Sequence, residues 1–237
     1  MARKREALSR ERIVQAALAL VEREGLPGFS TRSLGRALRC EAMSIYHFFP
    51  SKQHLLDALV DHAIASIGMP DPALPALERV RRAAYAYRAM AHRYARLYPL
   101  IAVHRLNTPT GVRYIENLLG LVREATGDDE AAARYFRAVG YYLAGAALDE
   151  TSGYAKGPSA AAPVTNEFIE KECPLLWRSA RYFQRPEWER TFALGLDALL
   201  AALAPASLPR SKASRTPRTR APAGRKSPTR RARPRAG

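Results

Sequence analysis

Met43, Ser44 and His47 fall on one side of the segment Glu41–Phe49, and Ile45 and Phe49 fall on the other. A polar, slightly cationic face on so short a helix suits the reading of base-pair edges. The major groove admits a helix and offers each base pair a distinct pattern of donors and acceptors. Catalytic chemistry has no comparable constellation. GxSxG, P-loop, HExxH and dinucleotide fingerprints are all missing from the sequence. His47, His54, His62, His92 and His104 are scattered; His54 and Asp57 stand three apart, the ordinary spacing of a surface pair on a helix. Cys40 and Cys173 are too few for a disulfide framework or a thiolate metal site. The chain is therefore expected to be no enzyme and to need no metal or cofactor.

The elements that must position Met43, Ser44 and His47 are helical. Val, Ile and Thr are sparse, Ala and Leu are abundant, and no stretch alternates with period two, so the fold class is all-α. A first helix is predicted over Ser9–Glu24, with Gly25 as a left-handed cap and Leu26-Pro27-Gly28 as a turn. Ser30 caps a second, short helix whose apolar side is Leu34, Ala37 and Leu38. After Arg39-Cys40 the third segment, Glu41–Phe49, stops at Pro50, and Ser51 caps a fourth helix. Two short helices leaning on a longer one make a helix-turn-helix. Beyond a linker at Gly68–Pro72, helices are expected near 75–96, 98–106, 110–126, 129–152, 165–182 and 186–204, with a loop at Gly153–Pro163.

Charge divides the chain. The sequence has 237 residues, 38 Lys+Arg and 22 Asp+Glu, for a net charge of +16. Eleven of those cations and none of the acids lie in residues 207–237, which leaves residues 1–206 at +5. That Arg/Pro/Ala-rich tail has too little apolar surface to offset its ordering entropy and is expected to be disordered. It either adds sequence-independent DNA affinity by releasing counterions, binds another polyanion, or is a tolerated extension. Runs without charge, such as Ala138–Leu148, are too short to cross a bilayer. The basic start lacks a small-residue cleavage site, so a cytoplasmic protein with no membrane partner is expected.

Phe29-Ser30-Thr31-Arg32-Ser33-Leu34, Glu41-Ala42-Met43-Ser44-Ile45-Tyr46-His47-Phe48-Phe49-Pro50-Ser51-Lys52 and Leu55-Leu56 resemble the DNA-binding domain of the tetracycline-repressor (TetR) family, across about residues 8–60. Glu189–Leu200 is similar, more weakly, to the last helix of many members. The resemblance implies a domain at residues 1–52 that binds double-stranded DNA and a helical effector-binding and dimerisation domain at 53–206. The segment 207–237 has no counterpart in it.

By the same resemblance, Thr31, Tyr46, His47 and Lys52 contact phosphates, Arg32 reaches a base edge, and Met43 and Ser44 touch bases or adjacent phosphates. Tyr94, His104, Tyr141 and Tyr142 fall on segments that enclose an inducer cavity in the family, although tyrosines equally fill any helical core. The chain has Arg39 where many members place Gly in the turn. Glu41 is expected to cap its helix, or else to accept from a cytosine amino group. Cys40 stands at a position usually held by a small apolar residue and reads as an inert filler rather than a redox sensor.

The expected function is that of a ligand-responsive transcriptional regulator, most simply a repressor. It would act as a homodimer paired through segments near 129–152 and 186–204 and released from a palindromic operator by an unnamed small-molecule effector. The alternative is a nonspecific or architectural DNA-binding protein dominated by the basic tail.

Overall fold

The computed structural model describes residues 7–152 and 159–203. These residues form eleven α-helices and no strand: α1 (Arg10–Gly28), α2 (Thr31–Leu38), α3 (Ala42–Tyr46), α4 (Lys52–Ala65), α5 (Ala76–Arg93), α6 (Tyr98–Val103), α7 (Pro109–Thr126), α8 (Asp129–Ser152), α9 (Asn166–Glu172), α10 (Pro174–Ser179) and α11 (Trp188–Leu203). The basic tail and residues 153–158 of the expected loop lie outside the described residues.

Local signals explain most boundaries. Ser9, Ser30, Ser51, Thr108 and Thr165 each accept a backbone N–H at the start of a helix, which satisfies a donor that has no intrahelical partner. Gly127 closes α7 in the left-handed region (φ 72°). Gly25 behaves differently from the expected left-handed cap. Its φ of 78° and ψ of 166° lie in a region essentially reserved for glycine, and the chain breaks there before one last turn to Gly28. The helix expected over 165–182 is also divided, into α9, α10 and a 3₁₀ turn at Ala180–Phe183. Pro174 has no N–H to continue the ladder and disfavours helical geometry at Cys173 (φ −130°, ψ 56°).

Two apolar clusters hold the bundle together. The first joins Ile13, Ala17 and Leu20 of α1 to Leu34, Ile45, Phe49, Leu55 and Leu59, and continues through Tyr94, Leu97, Tyr98 and Ile101. Each fully buried aliphatic side chain stabilises by about 1.5–3 kcal/mol. The core of the first three helices therefore runs without interruption, by way of α4, into the larger helical body. Ala37, expected among these core residues, is exposed; Gly35 is buried in its place. The second cluster packs Val80 and Ala84 of α5 and Leu121 of α7 against Phe192, Leu196 and Leu200 of α11.

Candidate nucleic-acid interface and ligand cavity

The interface is built on a doubly capped α2. Ser30 Oγ accepts from the Ser33 N–H, and Ser33 Oγ accepts from the Ser30 N–H, each at 3.0 Å. Arg39 takes the left-handed conformation (φ 54°, ψ 43°), so the turn is made by a non-glycine residue. The glycine the turn needs stands earlier. A Cβ on Gly35 would lie 2.9 Å from the Cys40 carbonyl oxygen, so only glycine lets the turn fold back this closely. Cys40 is half-buried against the first cluster, as a filler would be.

The third helix is shorter than the expected Glu41–Phe49, ending at Tyr46. The N–H groups of Phe48 and Phe49 both donate to the Ile45 carbonyl and close its end. Glu41 occupies the N-cap position, but its carboxylate makes no capping hydrogen bond, contrary to the expectation. Ile45 and Phe49 are buried, while Met43 is 66% exposed and His47 is also exposed; Ser44 is half-buried. The outward face expected from the spacing is present.

Thr31 and Tyr46, expected to contact phosphates, come together across the turn: their hydroxyls lie 3.2 Å apart. The pair locks the start of α2 to the end of α3. Lys52 Nζ donates to the Phe29 carbonyl oxygen at 3.1 Å, so its ammonium is tethered beside the entrance to α2. Arg32 and Arg39 are exposed, as is Arg36, a cation the motif comparison passed over. Arg10, also passed over, donates to the Phe48 carbonyl and stacks over Phe49 at 4.3 Å. No local sequence signal pairs Arg10 with residues 38 and 39 positions away.

A cavity of about 740 Å³ opens among α5, α6, α7 and α8. His104 and Tyr141 line it, together with Tyr87 and Tyr114. Tyr94 and Tyr142, the other two expected ligand residues, are not on its wall. Tyr94 is buried with its ring edge-on to His62. Tyr142 packs against Phe192 and donates to the Phe192 carbonyl at 2.7 Å. Consecutive residues on a helix point about 100° apart, and here that rotation carries Tyr142 off the wall and onto Phe192 while Tyr141 stays on it. Tyr87 and Tyr98 hydroxyls meet at 2.9 Å, and burial raises both phenols above their ordinary range. Tyr114 is likewise raised by burial, and its hydroxyl has no hydrogen-bond partner. Among the described residues no group of three His, Cys, Asp or Glu side chains is placed to hold a metal ion.

Both ends of α6, which supplies part of the cavity wall, are held by the first four helices. At its start, the Glu22 carboxylate on α1 accepts from the Arg96 and Leu97 N–H groups (3.3 and 3.2 Å), and Arg96 donates to the Arg23 carbonyl. At its end, His104 Nε2 lies 3.1 Å from Asp57 Oδ1 on α4. His104 Nδ1 accepts the Leu106 N–H at 3.1 Å, which places the proton of the neutral ring on Nε2, facing the carboxylate. Thr108 then donates to Asp61, also on α4. Leu106, between them, has a positive φ of 50°.

Two family models match the chain: "Bacterial regulatory proteins, tetR family" over residues 13–59 and "Tetracyclin repressor-like, C-terminal domain" over residues 71–206. The tetracycline repressor protein class D of Escherichia coli is 28% identical over 200 residues, which cover 81% of this chain and 88% of that protein. Among solved structures, a possible TetR family transcriptional regulator from Streptomyces coelicolor A3(2) superposes with a TM-score of 0.68 at 27% identity, covering 82% of this chain and 98% of that one. The S. coelicolor TetR family protein ActR, in complex with actinorhodin, shares the fold at a TM-score of 0.67 and 24% identity, over 84% and 97% of the two chains. The match spans the α2–turn–α3 interface and the cavity-bearing body alike, and the chain belongs to the TetR family of bacterial regulatory proteins.

Proposed function

We propose that the chain is a repressor that leaves a palindromic operator when a small molecule enters the cavity between α5 and α8. The observation that carries this reading is the suspension of α6: its residues wall the cavity, and both its ends are hydrogen-bonded to α1 and α4, the helices that flank the DNA-facing α2 and α3. A ligand that binds one position of α6 more tightly than another shifts the orientation of α1 and α4 by that difference in affinity. In this reading Arg32 reads a base edge, Met43 and Ser44 contact bases or adjacent phosphates, and Thr31, Tyr46, His47 and Lys52 set register on phosphates.

A homodimer formed by α8 and α11 supplies the second recognition helix. An uncovered apolar surface supports that pairing: Leu194 is 74% exposed, and nothing lies within 4 Å of where a Cβ on Gly145 would stand. The repressor sense is supported by the name of the related tetracycline repressor class D. Selection of bound fragments from genomic DNA by the full chain, followed by a metabolite screen for release, tests the proposal. Recovery of a two-fold symmetric site supports it, and a chain that stays monomeric at micromolar concentration overturns it.

The eleven cations of residues 207–237 favour a second reading, that of a nonspecific DNA-coating protein. Deleting them separates the two. A regulator keeps specific binding with a shallower salt dependence, whereas a coating protein loses DNA altogether.

A further inference from the structure

The cavity wall carries cationic side chains and no anionic one. None of the lining residues is Asp or Glu, and two are arginines, Arg105 and Arg137. Neighbouring arginines are neutralised: Arg88 pairs with Glu150 and Glu189, Arg123 with Asp129, and Arg134 with Glu130. Arg137, one turn beyond Arg134 on α8, has no carboxylate among the described residues. It lies 4.7 Å over the Tyr141 ring, and its Nε donates to the Tyr141 hydroxyl at 3.0 Å. Its terminal Nη groups are left for another acceptor. Arg105 likewise has no ion-pair partner among the described residues.

Deeper in the wall the imbalance continues. His104 has its one acceptor nitrogen taken by Leu106 and its N–H directed to Asp57. The Tyr114 hydroxyl is buried without a partner, and an unmade hydrogen bond of that kind is a standing cost. The remainder of the lining is aliphatic or aromatic, and about 740 Å³ accommodates a molecule of several fused or linked rings. A cation would meet two guanidiniums without a carboxylate here, while a fully apolar ligand would leave the buried Tyr114 hydroxyl unanswered.

We infer that the effector is an organic anion, an apolar ring-sized body whose carboxylate is taken by Arg105 and Arg137 and whose carbonyl accepts from Tyr114. This rests on the regulator reading for its biological sense, but the chemistry of the cavity is tested independently of DNA. Guanidinium–carboxylate hydrogen bonds are charge-assisted and directional, so they select an anion over its neutral isostere.

Three probes of one shape separate the contributions: 9-fluorenone-2-carboxylate, its neutral 2-carboxamide, and fluorene-2-carboxylate, which lacks the ketone. Calorimetric titration of the full chain is expected to show the fluorenone carboxylate binding about tenfold or more tightly than the carboxamide. The double variant R105Q/R137Q removes that preference, and an unchanged urea unfolding midpoint certifies that the fold is intact. Tyr114→Phe weakens the fluorenone carboxylate by roughly fivefold and leaves fluorene-2-carboxylate unchanged. Equal affinity for carboxylate and carboxamide, a preference that survives R105Q/R137Q, or binding of no probe overturns the inference. Parallel titrations on operator DNA keep the two ideas apart. Release by the carboxamide as readily as by the carboxylate sinks the anion but keeps the regulator, and selective anion binding with no effect on DNA does the reverse.

Discussion

His104 Nε2 lies 3.1 Å from Asp57 Oδ1, and this one hydrogen bond joins a residue on the cavity wall to α4, the helix that follows the α2–turn–α3 segment. Its geometry is over-determined: Leu106 N–H holds the opposite ring nitrogen, and Gly111 approaches the Leu106 carbonyl so closely that a Cβ there has no room. The wall and α4 therefore move together or the contact breaks.

Asp57→Ala is expected to leave operator affinity within about threefold of the parent. It raises the effector concentration needed for release by roughly fivefold or more, a small allosteric coupling. Fluorescence anisotropy of an operator fragment, titrated with effector, checks this. Unchanged release would remove His104–Asp57 from the coupling path.

Acid unfolding should report the same contact. Burial acts to raise the Asp57 carboxyl, but hydrogen bonds from His104 and Gln53 outweigh it, so it sits below the usual range. A folded value below the unfolded one, about 3.9, gives stability that is present above that pH and lost as pH falls through the folded value. Between the two, the unfolded chain binds more protons, so the parent should lose stability more steeply below about pH 4 than Asp57→Ala does. Urea midpoints measured across that range decide it.

Arg32 is exposed at the start of α2. Arg32→Ala should relax discrimination at one operator position by ~1–3 kcal/mol, measured over a panel of single-base variants. Weakening that is uniform across the panel would assign Arg32 to phosphate instead.

Gly35→Ala places a methyl 2.9 Å from the Cys40 carbonyl, a backbone atom that cannot swing away. A loss of about 1–3 kcal/mol in chemical denaturation is expected, with weaker DNA binding because α3 is re-aimed.

Glu150 is 6% exposed and receives two hydrogen bonds from Arg88 (2.8 and 2.9 Å) and contact from His92 Nε2 at 2.7 Å. Glu150→Ala leaves Arg88 with Glu189 alone and should cost about 3 kcal/mol in equilibrium unfolding at fixed protein concentration. A neutral result would mean that Glu189 alone satisfies the guanidinium.

Caps, breakers and apolar spacing act within a turn or two, and for that reason the all-helical class, α2 behind Ser30, α4 behind Ser51 and the outward face of Met43 and His47 were readable from residue order alone. Pro174 was an equally local signal for the break between α9 and α10 that the pattern of apolar residues obscured. What passes between helices is of another kind. Glu41 sits at a cap position without capping, Thr31 meets Tyr46, and Tyr141 reaches the cavity while Tyr142 turns to Phe192. His104 finds Asp57 across 47 residues of chain. Those outcomes depend on how each helix is rotated about its axis when the whole body packs. That rotation is chosen by the sum of many weak contacts, none of which is written in the spacing of a single segment.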